Sequence, residues 1–306
     1  LPMPCLVCKS KNIEKSWKVG SHQYYLCNTC GSLFLNPFPE IKTIKDTYDN
    51  FKYETGFINE SKIRLRARDI IKNCLKLNSQ AKNIVDIGCG AGFLLDEAKK
   101  TGLKAVGLEP STKLAEFARK KYKLEVRSSY VGRRYSLFSG RKFDILILSH
   151  VLEHVENPQD FLKKAISYLS KNGILYIETP NYSGWLAERE KENYTFLTPP
   201  EHICLYSHKG LLTILQQFNN LTIERSPTYS EQEHVVGIFK PKSRPIIPDP
   251  PAGGFRDLFP NKSNTPLKLL KKLKYLLVHF LLAPLLLPLF NLGGKGSYLA
   301  FYIKKK

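Results

Sequence analysis

The chain has 306 residues, of which 42% are hydrophobic and 24% are charged. This composition excludes a disordered or fibrous protein, and the length allows one large domain with a small appendage. The formal net charge of +20 indicates either an acidic partner or a solvated lysine-rich surface. Residues 1–20 lack the apolar core of a secretory signal, so we expect a cytoplasmic protein whose seven cysteines are metal ligands or core residues.

Two cysteine pairs lie near the start of the chain. Cys5 and Cys8 form the first pair, and Cys27 and Cys30 form the second. Their spacing predicts four thiolates around one tetrahedral zinc ion, and therefore a zinc ribbon over residues 1–38. Four protein ligands leave no open coordination position, so this metal is structural. Disulfide pairing is the alternative. We expect the other three cysteines to be packing residues: Cys74, Cys89 and Cys204.

Helices and strands alternate after the ribbon. Residues 61–77 predict an amphipathic helix, with an apolar stripe made of Ile63, Ala67, Ile70, Ile71 and Cys74. Seven strands are predicted at 83–87, 104–108, 124–127, 143–148, 173–178, 221–224 and 297–303. Helix caps are predicted at Ser111, Asn157 and Ser207, and the helix after Asn157 is expected to run through Leu169. This order predicts an α/β, doubly wound, Rossmann-like sheet in one domain, residues 39–306.

The most informative stretch is residues 84–93, Ile-Val-Asp-Ile-Gly-Cys-Gly-Ala-Gly-Phe. An apolar strand ends at Asp86, and Gly88, Gly90 and Gly92 then open a helix. Glycines let backbone N–H groups approach a ligand closely. Glu109 ends the next strand, where a carboxylate accepts hydrogen bonds from ribose hydroxyls. The spacing is not that of a dinucleotide site, and the acid before the glycines suits a cationic ligand.

Polar residues follow the fourth strand, at the sheet edge where doubly wound proteins bind substrates. Ser149 and His150 come first, and His154 lies four residues after His150, which would place both rings on one face of a helix. Histidine is well suited to proton removal near neutral pH. His202, after the fifth strand, is a further candidate base or a residue that fixes its loop.

Residues 227–296 are expected to form an insertion before the last strand. Residues 266–292 begin as a basic amphipathic helix and continue as an apolar stretch that Pro284 and Pro288 interrupt. Such a segment fits peripheral contact with the inner face of an anionic membrane. The alternative is a lid or a dimer patch that packs on the domain.

These motifs resemble those of class I S-adenosylmethionine-dependent methyltransferases. The resemblance covers residues 84–224, in the broad group that contains ubiquinone-pathway O-methyltransferases and sugar methyltransferases. It depends on the glycine loop, His150-Val-Leu-Glu153-His154-Val, Glu178-Thr-Pro180-Asn181 and Glu201-His202. Seven strands with the last one inserted antiparallel are typical of that architecture. The ribbon in front also resembles that of deoxysugar C-methyltransferases.

The resemblance implies S-adenosylmethionine as cofactor, beside the structural zinc. The cofactor-binding residues it implies are Asp86, Gly88, Cys89, Gly90, Gly92, Phe93, Glu109, Pro110, Ser149 and His150. His150, His154 and His202 are the candidate catalytic bases. Tyr48 and Tyr53 are expected to close over the pocket. Ubiquinone-type enzymes have an acidic–x–x–Glu–His run that can hold a divalent ion. In this chain His150 occupies the acidic position of that run, which disfavours metal binding there.

The leading functional hypothesis is O-, N- or C-methylation of a sugar, a nucleotide-sugar, a lipid-linked glycan or another small molecule, and the basic surface would attract a phosphorylated carrier. An RNA methyltransferase is the second hypothesis, which the net charge and the zinc module support. The fourth strand is not followed by the Asn/Asp-Pro-Pro-aromatic loop of enzymes that methylate amide or exocyclic nitrogens, nor by the Pro-Cys pair of enzymes that methylate pyrimidine carbons. Nucleic acid is therefore a weaker substrate hypothesis than a small molecule. A non-catalytic cofactor-binding module is the third.

Overall fold

The computed structural model describes residues 3–39, 60–129, 138, 140–236 and 282–306. Within these ranges the strands form two sheets, a four-stranded one and an eight-stranded one. The strands are β1 (Ile13–Val19), β2 (His22–Cys27), β3 (Leu33–Leu35), β4 (Asn83–Ile87), β5 (Lys104–Glu109), β6 (Glu125–Ser128), β7 (Phe143–Ser149), β8 (Leu169–Pro180), β9 (Cys204–Leu205), β10 (Leu221–Arg225), β11 (Thr228–Tyr229) and β12 (Tyr298–Lys305).

The larger sheet has the order β10-β12-β8-β7-β4-β5-β6, and β11 also pairs with β12. Strands β4 to β8 run parallel, whereas β12 lies antiparallel between β8 and β10. The predicted doubly wound sheet with an antiparallel last strand is therefore confirmed. Its central strands β4 and β7 are rich in buried apolar residues, because both faces of the sheet are covered. The chain order reverses between β4 and β7, so their carboxyl ends open the crevice in which such sheets bind ligands.

Helices cover both faces of this sheet. They are α1 (Glu60–Leu77), α2 (Phe93–Lys100), α3 (Thr112–Tyr122), α4 (Pro158–Ser167), α5 (Trp185–Glu190), α6 (His208–Leu215), α7 (Gln232–Val236) and α8 (Ala283–Phe290). The predicted caps are present: the side chains of Ser111, Asn157 and Ser207 accept hydrogen bonds from backbone N–H groups in the first turns of α3, α4 and α6. Each cap satisfies a donor that the helix itself leaves unpaired.

The ribbon packs directly onto the domain. Its strands β1, β2 and β3 form an antiparallel sheet with β9 as the fourth strand. The side chains of Val7 and Phe34 are fully buried in the same apolar cluster as Phe161 and Leu211 from α4 and α6. The ribbon and the domain therefore share one hydrophobic core.

Several predicted element boundaries, and the predicted burial of one residue, are wrong. The helix after Asn157 ends at Ser167 rather than running through Leu169, because Leu169 already pairs with Phe143 in the sheet. Ile63 is 44% exposed, since α1 buries only its later apolar positions. Cys204 is fully buried, as expected of a packing residue, and lies on a short strand that pairs with the ribbon. The first residues of the expected insertion, β11, belong to the sheet.

The rest of that insertion falls largely outside the described ranges. Tyr48, Tyr53 and residues 266–281 are not among the described residues, so their predicted roles stay predictions. Helix α8 leaves Leu285 and Leu289 exposed. In the part of the chain that the structure describes, no helix is both long enough and apolar enough to cross a membrane.

Candidate functional site

The glycine loop connects β4 to α2 at the carboxyl edge of the sheet. Gly88, Gly90 and Gly92 all have positive φ, of 81°, 52° and 82°. A Cβ at Gly88 would come within 2.6 Å of Val151, and a Cβ at Gly92 within 2.8 Å of Leu124. At Gly90 no atom of the residues that the structure describes lies within 4 Å of that position. The loop is therefore tightly packed at Gly88 and Gly92 and leaves space beside Gly90. The backbone N–H groups of Gly88, Gly90 and Gly92 donate within the protein, to Leu108, Glu109 and Cys89.

Two acidic side chains flank the loop. Asp86 is 4% exposed and Glu109 is 5% exposed. Glu109 accepts hydrogen bonds from the backbone N–H groups of Gly90 and Ser111, both at 2.8 Å. The Oδ1 atom of Asp86 is buried and has no hydrogen-bond partner among the described residues. Burial and the charge of Glu109 raise the pKa of Asp86 well above its ordinary value. An unpartnered buried carboxyl oxygen is costly, so this atom indicates a ligand with a donor group.

The neighbouring predicted residues have different surroundings. The Cys89 side chain is 8% exposed and occupies the space that a Cβ on Gly107 would fill, with Sγ 2.6 Å from that position. Phe93 packs on Tyr122, with the Arg64 guanidinium 5.1 Å from its ring. Pro110 is half-buried after β5. Cys89 and Phe93 therefore support the loop by packing, and their backbones form part of the turn.

A charged cluster lies at the ends of β7 and β8. His150 has a positive φ of 55°, and its Nδ1 and Nε2 lie 3.2 Å and 3.5 Å from the carboxylates of Glu153 and Glu178. Glu178 also pairs with Arg66 of α1 at 2.6 Å and accepts a hydrogen bond from Ser149. Burial disfavours the charged imidazole, but the two carboxylates outweigh burial and raise the pKa of His150 to about 10. At neutral pH its ring is a cation held between two buried anions.

The expected shared face of His150 and His154 is not present. The helix there is a single 3₁₀ turn, Leu152–His154, and the left-handed His150 lies before it. The buried carboxylate of Glu153 lies between the two histidines in the chain and hydrogen-bonds His150. The structure therefore separates a cationic histidine from the remaining candidates.

Instead, the structure brings His154 together with His202. Their ring centroids are 4.9 Å apart, and a ligand atom of each lies within 4.8 Å of one from Glu153. Each Nδ1–H donates to a carbonyl, of Glu201 for His154 and of Phe196 for His202. This arrangement fixes the tautomer of His202 and leaves its Nε2 as the basic nitrogen. Burial and the neighbouring His154 lower the pKa of His202 to about 4, so its ring is neutral at pH 7.

Aromatic rings surround these histidines. Tyr298, the first residue of β12, lies edge-on to His150 at 5.3 Å between centroids, and Phe196 lies 5.4 Å from Tyr298 and 6.3 Å from His202. Tyr229 stacks on Tyr298 at 5.1 Å. The site therefore combines a cofactor-type glycine loop with an aromatic wall that holds both charged and neutral imidazoles.

The sequence analysis missed Arg66, Glu178 and Tyr298. Glu178 belongs to the motif Glu178-Thr-Pro180-Asn181, which was identified only through its resemblance to the methyltransferase family. Its position at the end of the predicted strand 173–178 was the signal that could have marked it as a site residue. Arg66 lies 112 positions before it, on the amphipathic helix predicted at residues 61–77 from its apolar stripe. No local pattern connects these residues, because the sheet topology alone brings them together.

The four ribbon cysteines converge as predicted. Cys5 Sγ lies 3.7 Å from Cys30 Sγ, and Cys8 Sγ lies 3.5 Å from Cys27 Sγ, distances far longer than a disulfide bond. All four sulfurs lie within 4.8 Å of one another. Thiolates at about 2.3 Å from a tetrahedral zinc ion are separated by about 3.8 Å. The cluster therefore matches a structural zinc site.

Comparison with known proteins agrees with this geometry. A family model described as a methyltransferase domain matches residues 60–224, more than half of the chain. The chain belongs to this methyltransferase family. The ribbon precedes the matched region, whereas the glycine loop, the charged cluster and His202 all lie within it.

Relatives with curated names match parts of the chain. A ubiquinone biosynthesis O-methyltransferase of Pelagibacter ubique is 34% identical over 131 residues, which cover 40% of this chain and 54% of that protein. One of Bradyrhizobium diazoefficiens is 27% identical over 184 residues, 53% of this chain and 69% of that protein. The chain thus spans about half the length of the first relative. Among solved structures, a SAM-dependent methyltransferase from Archaeoglobus fulgidus is 18% identical and has a TM-score of 0.50. The match covers 83% of this chain and all of that one. At this identity the likeness supports the fold alone.

Proposed function

We propose that this protein is an S-adenosylmethionine-dependent methyltransferase that methylates a hydroxyl group on a ring-bearing small molecule. The observation that carries the proposal is the unpartnered Oδ1 of Asp86, buried beside Glu109 under an open glycine loop. The cofactor has a cationic ammonium group, which is a donor for the Asp86 oxygen, and a ribose diol, which can add to the two hydrogen bonds that Glu109 already accepts.

Each part of the cofactor has a matching residue. Asp86 would accept a hydrogen bond from the ammonium group, and Gly88, Gly90 and Gly92 would present backbone groups to the methionine portion. The Glu109 carboxylate, whose two oxygens each accept one backbone N–H, retains lone pairs for the ribose hydroxyls. Ser149 and the cationic His150 would form the floor. When bound, the cofactor supplies an electrophilic methyl group on a sulfonium ion.

A hydroxyl acceptor has to lose its proton during methyl transfer, and His202 is the residue best suited to take it. Its tautomer leaves Nε2 unprotonated, and its lowered pKa keeps the ring neutral at pH 7. The buried carboxylate of Glu153 stabilises positive charge on this ring and so favours proton transfer. His150 is unsuited to this role because it already carries a proton. It orients the carboxylates instead, and His154 supports His202.

The acceptor that the aromatic wall favours is a sugar, which is either free, nucleotide-linked or lipid-linked. Aromatic faces such as those of Phe196 and Tyr298 pack against the apolar face of a sugar ring, and a net charge of +20 attracts a phosphorylated carrier. A phenol is the second candidate, because the two named relatives are ubiquinone biosynthesis O-methyltransferases and an aromatic wall also holds a phenol ring. Both acceptors need the same base.

Methyl transfer from labelled S-adenosylmethionine tests the proposal. The protein would be incubated with nucleotide-linked sugars, with catechols and with RNA, and label would be counted in each product. We expect label in one of the two small-molecule classes, and His202→Ala to reduce it by about 10²–10⁴-fold. His208→Ala is the matched control, because this histidine packs on Phe301 at the start of α6. Label in RNA, or full activity of His202→Ala, would contradict the proposal.

A further inference from the structure

The ribbon contacts the segment that contains His202. Strand β3 pairs with β9, with Leu33 opposite Leu205 and Phe34 opposite Cys204. The backbone N–H of Leu35 donates to the carbonyl of Ile203 at 2.9 Å. A strand only two residues long depends on its partner for its position, so β9 is held in place largely by the ribbon.

One side chain of the ribbon bonds His202 itself. The Tyr24 hydroxyl, on β2, donates to the backbone carbonyl of His202 at 2.8 Å. Tyr24 is fully buried, so this bond is shielded from water and its loss would leave a buried carbonyl without its partner. Tyr24 thus fixes the backbone from which the His202 ring extends.

A zinc knuckle holds the other end of this segment. Ser207 donates through its hydroxyl to the carbonyl of Cys30 at 2.5 Å, and through its backbone N–H to Ser32 Oγ at 3.2 Å. Cys30 is one of the four converging cysteines. The segment 202–207 therefore begins on a ribbon tyrosine and ends on a ribbon cysteine.

The domain provides the opposing contacts. Ile203 N–H donates to the carbonyl of Glu153 at 2.8 Å, and Tyr182 N–H donates to that of Tyr206 at 2.9 Å. The segment is therefore clamped between the ribbon on one side and the elements that follow β7 and β8 on the other. Removing either side would free the His202 ring to change its distance from Glu153 and His154.

We propose that the zinc ribbon is a brace that positions His202, with Tyr24 as its positioning residue, so that zinc occupancy controls methyl transfer without controlling cofactor binding. The inference rests on the proposed role of His202 as the base. Four-cysteine ribbons obtain much of their folding free energy from the metal, so the pairing of β3 with β9 persists only while zinc is bound. The glycine loop lies on β4 and has its own support from Val151 and Leu124.

Amide hydrogen exchange tests the brace independently of activity. The full chain would be compared before and after zinc removal by a chelator, with zinc content measured in both samples. We expect exchange of residues 202–207 to rise at least tenfold, while residues 84–93 change less than twofold. S-adenosylhomocysteine affinity, measured by calorimetry, should change less than twofold. Unchanged protection of residues 202–207 in metal-free protein would overturn the proposal, as would equal deprotection of both segments.

Tyr24→Phe tests the same idea with zinc still in place. The matched control is Tyr25→Phe, since Tyr25 adjoins Tyr24 on β2 and stacks on Phe34. For Tyr24→Phe we expect faster exchange of residues 202–207 and a roughly tenfold lower kcat, with unchanged KM for S-adenosylmethionine and unchanged zinc content, because small misplacements of a catalytic group reduce rate strongly. Tyr25→Phe should behave as wild type.

The two proposals fail in different ways. Full turnover by His202→Ala would contradict the role of His202 as base. Wild-type exchange and turnover in Tyr24→Phe, alongside an inactive His202→Ala, would contradict the brace alone. Turnover is measured with a catechol or a nucleotide-linked sugar, whichever accepts label, and the exchange measurements decide on the brace if neither does.

Discussion

Replacing His150 should destabilise the protein in a strongly pH-dependent way. The His150 ring lies between the carboxylates of Glu153 and Glu178, which are 0% and 3% exposed. His150→Asn removes this cation, and asparagine tolerates the left-handed backbone found at this position. The effect therefore reports on the charge of the ring and not on backbone strain.

The magnitude follows from the pKa of His150, raised from 6.5 to about 10 by the two carboxylates against the opposing effect of burial. Such a shift corresponds to almost 5 kcal/mol at ~1.4 kcal/mol per pH unit. The side chain is 42% exposed, so water screens the interaction and we expect about 2 kcal/mol. Because the folded-state pKa is the higher one, this stability is fully present below pH 6.5 and is lost as pH rises through about 10.

Urea unfolding at several pH values, with zinc held constant, measures this effect. Wild type should exceed His150→Asn in free energy of unfolding by about 2 kcal/mol at pH 6, and the difference should shrink towards zero near pH 10. His208→Asn, on α6, is the matched control for the loss of a half-buried histidine. A difference for His150→Asn that does not change with pH would refute the ion-pair reasoning.

Three further predictions concern the loop and the ribbon. Gly92→Ala should lower the free energy of unfolding by about 2–4 kcal/mol in urea titrations, since it adds a clash to a positive φ; Gly102→Ala, also at positive φ but in open space, should cost about 1 kcal/mol. Glu109→Ala should abolish S-adenosylhomocysteine binding in calorimetry while the circular dichroism spectrum is retained. Substituting Cys27 and Cys30 by serine should release zinc, measured by metal analysis, and expose the first 38 residues to limited proteolysis.

Each of these has a contradicting outcome. Equal destabilisation by Gly92→Ala and Gly102→Ala would show that packing does not constrain the loop. Unchanged ligand affinity in Glu109→Ala would remove this carboxylate from the cofactor site. A folded, protease-resistant protein without zinc after loss of Cys27 and Cys30 would contradict the ribbon assignment.

Most of the domain core could be predicted from sequence because its signals are local. Strands β4 and β7 contain the short apolar runs Ile84-Val85 and Ile145–Leu148, as expected for parallel strands that are buried on both faces. Capping residues marked the starts of α3, α4 and α6, and the glycine spacing marked the loop. The end of α4 was misplaced because Tyr168 and Leu169 are drawn into the sheet by Phe143, a pairing that no local pattern reveals.

The candidate catalytic site was predicted only in part, for the same reason. His150 looked like a base because histidine commonly titrates near neutral pH, but two carboxylates from different elements keep it charged. The neutral ring of His202 depends on burial and on the neighbouring His154. The contact between Tyr24 and His202 spans 178 positions. The charge states of these histidines depend on tertiary neighbours, which local sequence patterns do not show.

We expect the buried carboxyl group of Asp86 to accept a hydrogen bond from the ammonium group of S-adenosylmethionine. Burial and Glu109 raise the pKa of Asp86, so binding of a cation should displace its proton. Calorimetry at pH 6–7 in buffers of different ionisation enthalpy measures proton release directly. We predict that wild type binds the cofactor with proton release, and that Asp86→Asn binds at least tenfold more weakly and releases fewer protons. Equal affinity and equal proton release in both proteins would contradict the account.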